Sequence, residues 1–193
     1  MRAPERRLQL LDVTTRLAVD EGFHAVTVEA VARRAGITRA VIYQQFGDLH
    51  TLLEEAVRRE TTRALTQITA TAMTTLAGDN AKERMLDSLS GYLCAVRDHP
   101  TTWRLVLMPP EGAPKSLRET IADGRRAVLE HLTRAVRPSL LSGDIFDAEL
   151  TARVLSAIAD QYALLVLTDP LRYSPERLLL HADWWLDKPA FGL

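Results

Sequence analysis

The 193-residue sequence contains a single cysteine, Cys94, so no internal disulfide can form and the chain suits a reducing, cytoplasmic setting. It lacks any run near the roughly 18 uninterrupted apolar residues of a membrane span. Its first residues, MRAPERRLQL, are basic without the apolar stretch of a secretory signal. Neither a membrane location nor export is expected. Charge of one sign is also missing: 24 Lys and Arg face 25 Asp and Glu, a net charge of -1. That balance excludes a general attraction to nucleic acid, so any DNA binding must come from where the arginines sit. His24, His50, His99, His131 and His181 are scattered, and no HExxH or paired Cys/His spacing accompanies them. There is no P-loop, dinucleotide glycine fingerprint or nucleophile elbow. An enzyme, a metal site and a cofactor are therefore not expected. The two-residue alternation of half-buried strands is lacking throughout.

What the sequence does have is helical periodicity in nearly every segment, at 47% hydrophobic and 25% charged residues, a balance typical of folded globular chains. Leu8, Leu11, Thr15 and Ala18 suggest a first helix from about Pro4 to Glu21, stopped by Gly22. Thr27 can cap a second helix with Val28, Val31 and Ala32 inward, and Gly36 ends it. Thr38 can cap a third, carrying Val41 and Ile42 to Phe46-Gly47. Asp48 can cap a fourth, with Leu49, Leu52, Leu53, Ala56 and Val57 on one face. Longer helices follow. One ends near Gly78-Asp79-Asn80, and the next runs through Leu86, Leu89, Leu93 and Val96 to His99-Pro100. A short helix over Thr101–Met108 leads into the loop Pro109–Pro114. Lys115–Val136 precedes Pro138 and the loop Ser142-Gly143-Asp144. The last two helices span about Asp147–Thr168 and Pro175–Leu186, the second opening with a serine cap and proline at its first position. The chain reads as all-α.

The stretch ARRAGITRAVIYQQF, Ala32–Phe46, has three arginines and no carboxylate. Two short helices, Thr27–Ala35 and Thr38–Phe46, joined by a glycine turn have the layout of a helix-turn-helix, whose second helix enters the major groove. On that helix Val41 and Ile42 point to the core, leaving Arg39, Ala40, Tyr43 and Gln44 outside. Arg can pair with guanine, Gln with adenine, and Ala or a Tyr ring can meet a thymine methyl. Thr27 and Thr38, at helix N-termini, suit phosphate. A plain surface hairpin with solvated arginines fits the same pattern.

The run EGFHAVTVEAVARRAGITRAVIYQQFGDLHTLLEEAV, Glu21–Val57, resembles the DNA-binding domain of the TetR family of bacterial transcriptional regulators. The shared signals, in order, are Gly22-Phe23, Thr27-Val28, Val31-Ala32, Ala35-Gly36-Ile37-Thr38, Tyr43–Phe46 and Leu52-Leu53. Two positions depart from the family: Gln45 stands where His is usual before the Phe, and Leu49 where Lys is frequent. His50 and the arginines Arg2, Arg6 and Arg7 are candidates to replace the missing charge. The resemblance implies a helix-turn-helix DNA-binding domain at 1–48. It also implies a larger helical ligand-binding and dimerisation domain at 49–193, without a cofactor. The implied partners are a palindromic double-stranded DNA operator, a small-molecule effector and a second copy of the chain. DNA-contacting residues would be Thr27, Thr38, Arg39, Ala40, Tyr43, Gln44 and Gln45.

In the larger half, apolar stripes run along the last two helices. Val154, Leu155 and Leu165 lie on one, and Leu178, Ala182, Trp185 and Leu186 on the other. They can serve their own core or a four-helix dimer interface. Tyr92, Val96, Trp103, Leu107, Met108, Val128, Leu132, Ile158, Gln161 and Tyr162 can line an effector pocket or simply fill the core. The loop Pro109–Pro114 can border a pocket entrance or merely connect. Two readings stand: a repressor released by a small apolar or aromatic ligand, or a helical small-molecule-binding or adaptor protein without specific DNA binding.

Overall fold

The computed structural model describes residues 3–74, 81–136 and 147–187, with the backbone alone at 71–74 and 81. The expectations for Arg2, Gly78-Asp79-Asn80, Pro138 and Ser142-Gly143-Asp144 lie outside the described residues. The fold is all-α, and no strand occurs among the described residues. The helices are α1 (Ala3–Glu21), α2 (Val28–Ala35), α3 (Arg39–Phe46), α4 (Leu49–Thr74), α5 (Ala81–Asp98), α6 (Pro100–Leu107), α7 (Lys115–Val136), α8 (Ala148–Thr168) and α9 (Pro175–Leu186). A 3-10 turn, Phe23–Ala25, lies between α1 and α2.

Local chemistry sets several of these boundaries. The Thr27 hydroxyl accepts from the Ala30 N–H, capping α2. Gly36 closes α2 in the left-handed region at φ 65°, ψ 39°, and the Ile37 N–H returns to the Ala32 carbonyl. Thr38 occupies the N-cap of α3, but its side chain makes no capping bond. Asp48 accepts from the Thr51 N–H at 2.7 Å, and that bond holds its carboxyl below the usual range. Asp147 and Ser174 cap α8 and α9.

The chain forms two compact units. The first comprises Met1–Ala64 with Thr101–Ile121, so packing groups more of the chain with the helix-turn-helix than residues 1–48. Its core joins Leu10, Leu17, Val31, Ile42, Phe46 and Leu52 to Leu105, Ala113 and Leu117. The buried stripe of α1 differs from the expected one. Thr14 is fully buried, whereas Leu8 is 55% exposed. Hydropathy alone does not mark Thr14 as an inward position. A void of about 10 Å³ beside Thr14, Phe23, Leu53 and Leu105 has room for a water and not for an effector. The Pro109–Pro114 loop belongs to this unit. The Phe23 N–H donates to the Glu111 carbonyl at 3.2 Å, and Ala113 is buried. The loop therefore docks on the 3-10 turn instead of hanging as a free connector.

A buried carboxylate ties α4 to α6 inside this unit. Glu60, 2% exposed at its side chain, accepts from the Thr102 hydroxyl at 2.5 Å and from Arg63 at 3.2 Å. Arg59 donates to it through Nε at 2.9 Å and Nη2 at 2.7 Å, and also reaches Asp12 on α1 at 2.7 Å. A buried charge survives only when paired and hydrogen-bonded in this way.

In the second unit, Leu65–Pro100 with Ala122–Leu193, α5 packs on α8 and α9. Leu93 and Val96 of α5 are fully buried, as are Ala152, Ala163 and Ala182 of the other two. Small residues there allow close helix approach. By length and composition α8 is apolar enough to cross a membrane, but its apolar residues divide between two faces. Leu155, Tyr162, Val166 and Leu167 are buried, and Leu150 and Val154 are exposed. Two polar clusters lie among these helices. The Tyr92 hydroxyl donates to Asp160 at 3.3 Å, and Arg125 approaches that carboxylate at 3.7 Å. Burial raises the Tyr92 hydroxyl well above its ordinary range, helped by the Asp160 charge. Burial also raises the Asp160 carboxyl, against the opposing effect of Arg125. The Trp185 indole N–H donates to the Tyr162 hydroxyl at 3.0 Å, which in turn is hydrogen-bonded to His181 Nδ1 at 2.5 Å.

Glu60 and Asp160 each yield a stability prediction. Replacing Glu60 by Ala leaves the buried Thr102 hydroxyl without its acceptor and Arg59 with Asp12 as its remaining carboxylate partner. It is expected to lower stability by about 3 kcal/mol in urea unfolding, against about 1 kcal/mol for Thr102→Val; an unchanged midpoint for Glu60→Ala would contradict the buried network. Asp160 has a raised carboxyl pKa in the folded state, so the folded chain binds its proton more tightly than the unfolded one. Its ionisation therefore costs stability as pH rises above the ordinary Asp value. Asp160→Asn is expected to raise the melting temperature at pH 7, and the gain should vanish below about pH 4, where the carboxyl is protonated in both states. A gain that persists at low pH would assign the effect to packing instead.

Candidate nucleic-acid interface

An eight-residue helix does not hold its shape in water unaided, and α3 is fixed by what it buries. Ile42 and Phe46 lie inside the core of the first unit, each contributing about 2 kcal/mol through burial. Val41 is half-buried beside them. With that face anchored, Thr38, Arg39, Ala40, Tyr43 and Gln44 are all exposed, and Tyr43 is 51% accessible. Gln45 turns partly inward. Thr27 stands exposed at the α2 N-terminus.

The far end of α3 is held by Arg7 of α1. One of its nitrogens donates to the Gln45 carbonyl and another to Glu55 of α4 at 2.5 Å. Its guanidinium lies over the Phe46 ring, 4.1 Å from the centroid. Arg7 is therefore engaged inside the unit as a clasp on the helix. This corrects its expected place among arginines gripping DNA. Arg6 donates to Gln9 at 2.7 Å. Leu49 packs half-buried against the same core, so the apolar residue at the family's lysine position gains burial in place of charge.

The absence of acid between Ala30 and Gly47 does not leave the arginines alone. Arg39 Nη1 donates to Glu29 at 2.8 Å, and Arg34 donates to Glu21 at 2.9 Å. Each bond reaches across a turn from an acid just outside the basic window. The Glu29 carboxyl is lowered, and Arg39 held more firmly protonated, chiefly by their shared hydrogen bond. A window drawn along the sequence misses both acids, because Glu29 precedes Arg39 by ten residues.

The expected effector residues are divided between the units. Trp103, Leu107 and Met108 belong to the first, with Trp103 buried and Met108 exposed. Tyr92, Val96, Val128, Leu132, Ile158, Gln161 and Tyr162 belong to the second. There Val96 and Tyr162 are buried, Val128, Leu132 and Ile158 half-buried, and Gln161 exposed. Among the stripe residues of α8 and α9, Leu155, Leu178, Ala182 and Leu186 are buried within their own unit. They are core, because α5 occupies that side. Leu165 and Trp185 are half-buried. The outward face instead presents Leu150, Val154, Leu180 and Trp184. The shift by one helical face was not legible, since either stripe satisfies the same spacing.

Among the described residues no group of three or more His, Cys, Asp or Glu is placed to hold a metal.

Residues 10–56 match the family of bacterial regulatory proteins described as the tetR family. Over 186 residues the chain is 25% identical to HTH-type transcriptional regulator BetI of Vibrio parahaemolyticus serotype O3:K6 (strain RIMD 2210633), spanning 95% of this chain and 91% of that one. A TetR-like transcriptional regulator of Rhodococcus sp. RHA1 has a similar structure, with TM-score 0.74 and 21% identity over 97% of this chain and 99% of that one. A protein of Saccharomonospora viridis, described as a transcriptional regulator and solved in complex with choline, superposes with TM-score 0.70 and 23% identity over 96% and 97% of the two chains. At these identities the two structures speak for the fold. The helix-turn-helix geometry and the match across it identify residues 10–56 as the helix-turn-helix segment of the TetR family of bacterial regulatory proteins, and the chain as a whole shares its fold with TetR-like regulators.

Proposed function

We propose that the protein is a ligand-responsive repressor that binds a palindromic operator as a homodimer. The observation that carries this reading is the face of α3, where Arg39, Ala40, Tyr43 and Gln44 are exposed on a helix fixed by Ile42 and Phe46. Each subunit inserts α3 into a major groove, with the two helices about 34 Å apart, one turn of DNA. Arg39 and Gln44 read base edges, and Tyr43 and Ala40 make apolar and backbone contacts. Thr38 suits a phosphate, since its hydroxyl is not committed to capping α3.

The dimer forms through the outward face of α8 and α9. Leu180 at 73% and Trp184 at 59% exposed, one turn apart on α9, and the exposed Leu150 and Val154, one turn apart on α8, supply the apolar side chains for that interface. A two-fold protein then matches a two-fold operator.

The effector is a small molecule held in the second unit by largely apolar side chains, among them Tyr92, Val128, Leu132 and Ile158. The half-buried Asp160 beside Tyr92 favours a cationic group on that molecule, and choline in the similarly folded Saccharomonospora viridis protein points the same way. Binding lowers DNA affinity only as far as the effector prefers one arrangement of the dimer over the other; a coupling of about 1–3 kcal/mol changes occupancy roughly 5- to 150-fold.

Fluorescence anisotropy with DNA from upstream of the coding region, against excess competitor and at two salt concentrations, tests DNA recognition. Arg39→Ala or Tyr43→Ala should weaken specific binding by about 5- to 150-fold without altering the melting temperature. Binding that competitor abolishes, on this DNA and on any sequence drawn from a random pool, would leave the adaptor reading. In sedimentation analysis the wild type should be dimeric at micromolar concentration and Trp184→Glu monomeric; a wild-type monomer would overturn the proposed interface.

A further inference from the structure

We infer that Glu29 is a specificity-determining residue, which acts by holding Arg39 at the start of the recognition helix. This rests on the proposed reading of α3 as the base-contacting helix. Glu29 sits in the first turn of α2 and Arg39 opens α3. The turn at Gly36 brings the two helix starts together, and both side chains remain open to solvent, at 60% and 64%.

The contact joins a single nitrogen, Nη1, to a single oxygen, Oε1. Among the described residues the Arg39 guanidinium makes no other hydrogen bond. A guanidinium carries five N–H donors, so a bidentate pairing with guanine O6 and N7 remains available while Glu29 keeps its hold. An exposed ion pair of this kind contributes little to folding. Its consequence lies at the DNA surface.

Two effects act in the same direction. A free arginine at a helix start can swing to the nearest phosphate of any DNA, whereas one tethered on Nη1 loses that freedom and keeps its orientation toward the groove floor. The Glu29 carboxylate also adds a negative charge where phosphates approach, which weakens binding to every sequence alike. Discrimination by repulsion and restraint is a general route to specificity. Of the three arginines in the basic window, Arg34 is similarly engaged by Glu21, while Arg33 makes no ion pair among the described residues. The window is thus much less free than its sequence suggests.

The test compares wild type, Glu29→Ala, Glu29→Asp, Arg39→Ala and the Glu29→Ala/Arg39→Ala double variant. Each is presented with a random-sequence duplex pool, and affinities are then measured for the enriched duplex and its single-base variants at several salt concentrations. Far-UV circular dichroism melts confirm that each variant is folded. Glu29→Ala should bind random DNA more tightly, by about threefold or more, with a salt dependence steeper by about one unit. Its preference at the base pair read by Arg39 should fall by about threefold or more. Glu29→Asp, which keeps the charge but shortens the reach to Arg39, should lose the preference with a smaller gain in random-DNA binding than Glu29→Ala. In the Arg39→Ala background, removing Glu29 should leave base preference unchanged. Wild type that enriches a sequence which Glu29→Ala reads with undiminished preference would overturn the inference alone, as would a loss of preference that persists without Arg39. Wild type that enriches no sequence would overturn the DNA-reading function and the inference with it.

Discussion

The burial of Ile42 and Phe46 is the constraint on which the rest depends. Eight residues make a little over two turns, far short of a helix stable in water. The α3 backbone is therefore as ordered as its apolar anchors and the core that receives them. That core draws on α1, α2, α4 and the segment around Leu105 to Leu117. Because Ile42 and Phe46 are four residues apart, they fix one side of the helix; Ala40 and Gln44 lie opposite, Tyr43 flanks the buried side, and Arg39 is exposed at the N-terminal end. Surface chemistry on such a short element is possible only because the other face is committed.

Rigid placement is reinforced by polar groups that carry no sequence information. Arg7 holds the C-terminal end of α3 to α1 and α4, and Gly36 sets the angle at which its N-terminal end follows α2. Glu60 links α4 to α6 within the same unit. Since α4 and α7 each contribute residues to both compact units, events in the second unit have a covalent path to the first. These polar contacts join α4 to α1 and α6 within the first unit.

Much of this was legible in the sequence because the relevant signals are local. Caps, glycine stops and the Ser174-Pro175-Glu176 start depend on neighbours in the chain, and the helix boundaries follow them closely. The exposed residues of α3 were legible for the same reason: two large apolar residues decide which way a short helix faces. The errors arose where contacts join distant segments. Arg7 reads as a free terminal arginine until Gln45, Phe46 and Glu55 surround it. Leu8 reads as core, yet it is exposed and Thr14 is buried. On α8 and α9 the spacing permits two apolar faces, and only the position of α5 decides that Leu155 and Leu178 are interior while Leu180 and Trp184 are not. The docking of Pro109–Pro114 on the 3-10 turn has no sequence signal beyond the loop itself.

The most direct test of the central claim is a map of which backbone amides sense DNA. In heteronuclear NMR spectra of the isotope-labelled protein, addition of an enriched specific duplex should shift the amides of Thr27 and Thr38–Gln44, while the Ile42 and Phe46 side chains retain their free-state environments. Shifts confined to other surfaces, with Thr38–Gln44 unmoved, would contradict recognition through α3.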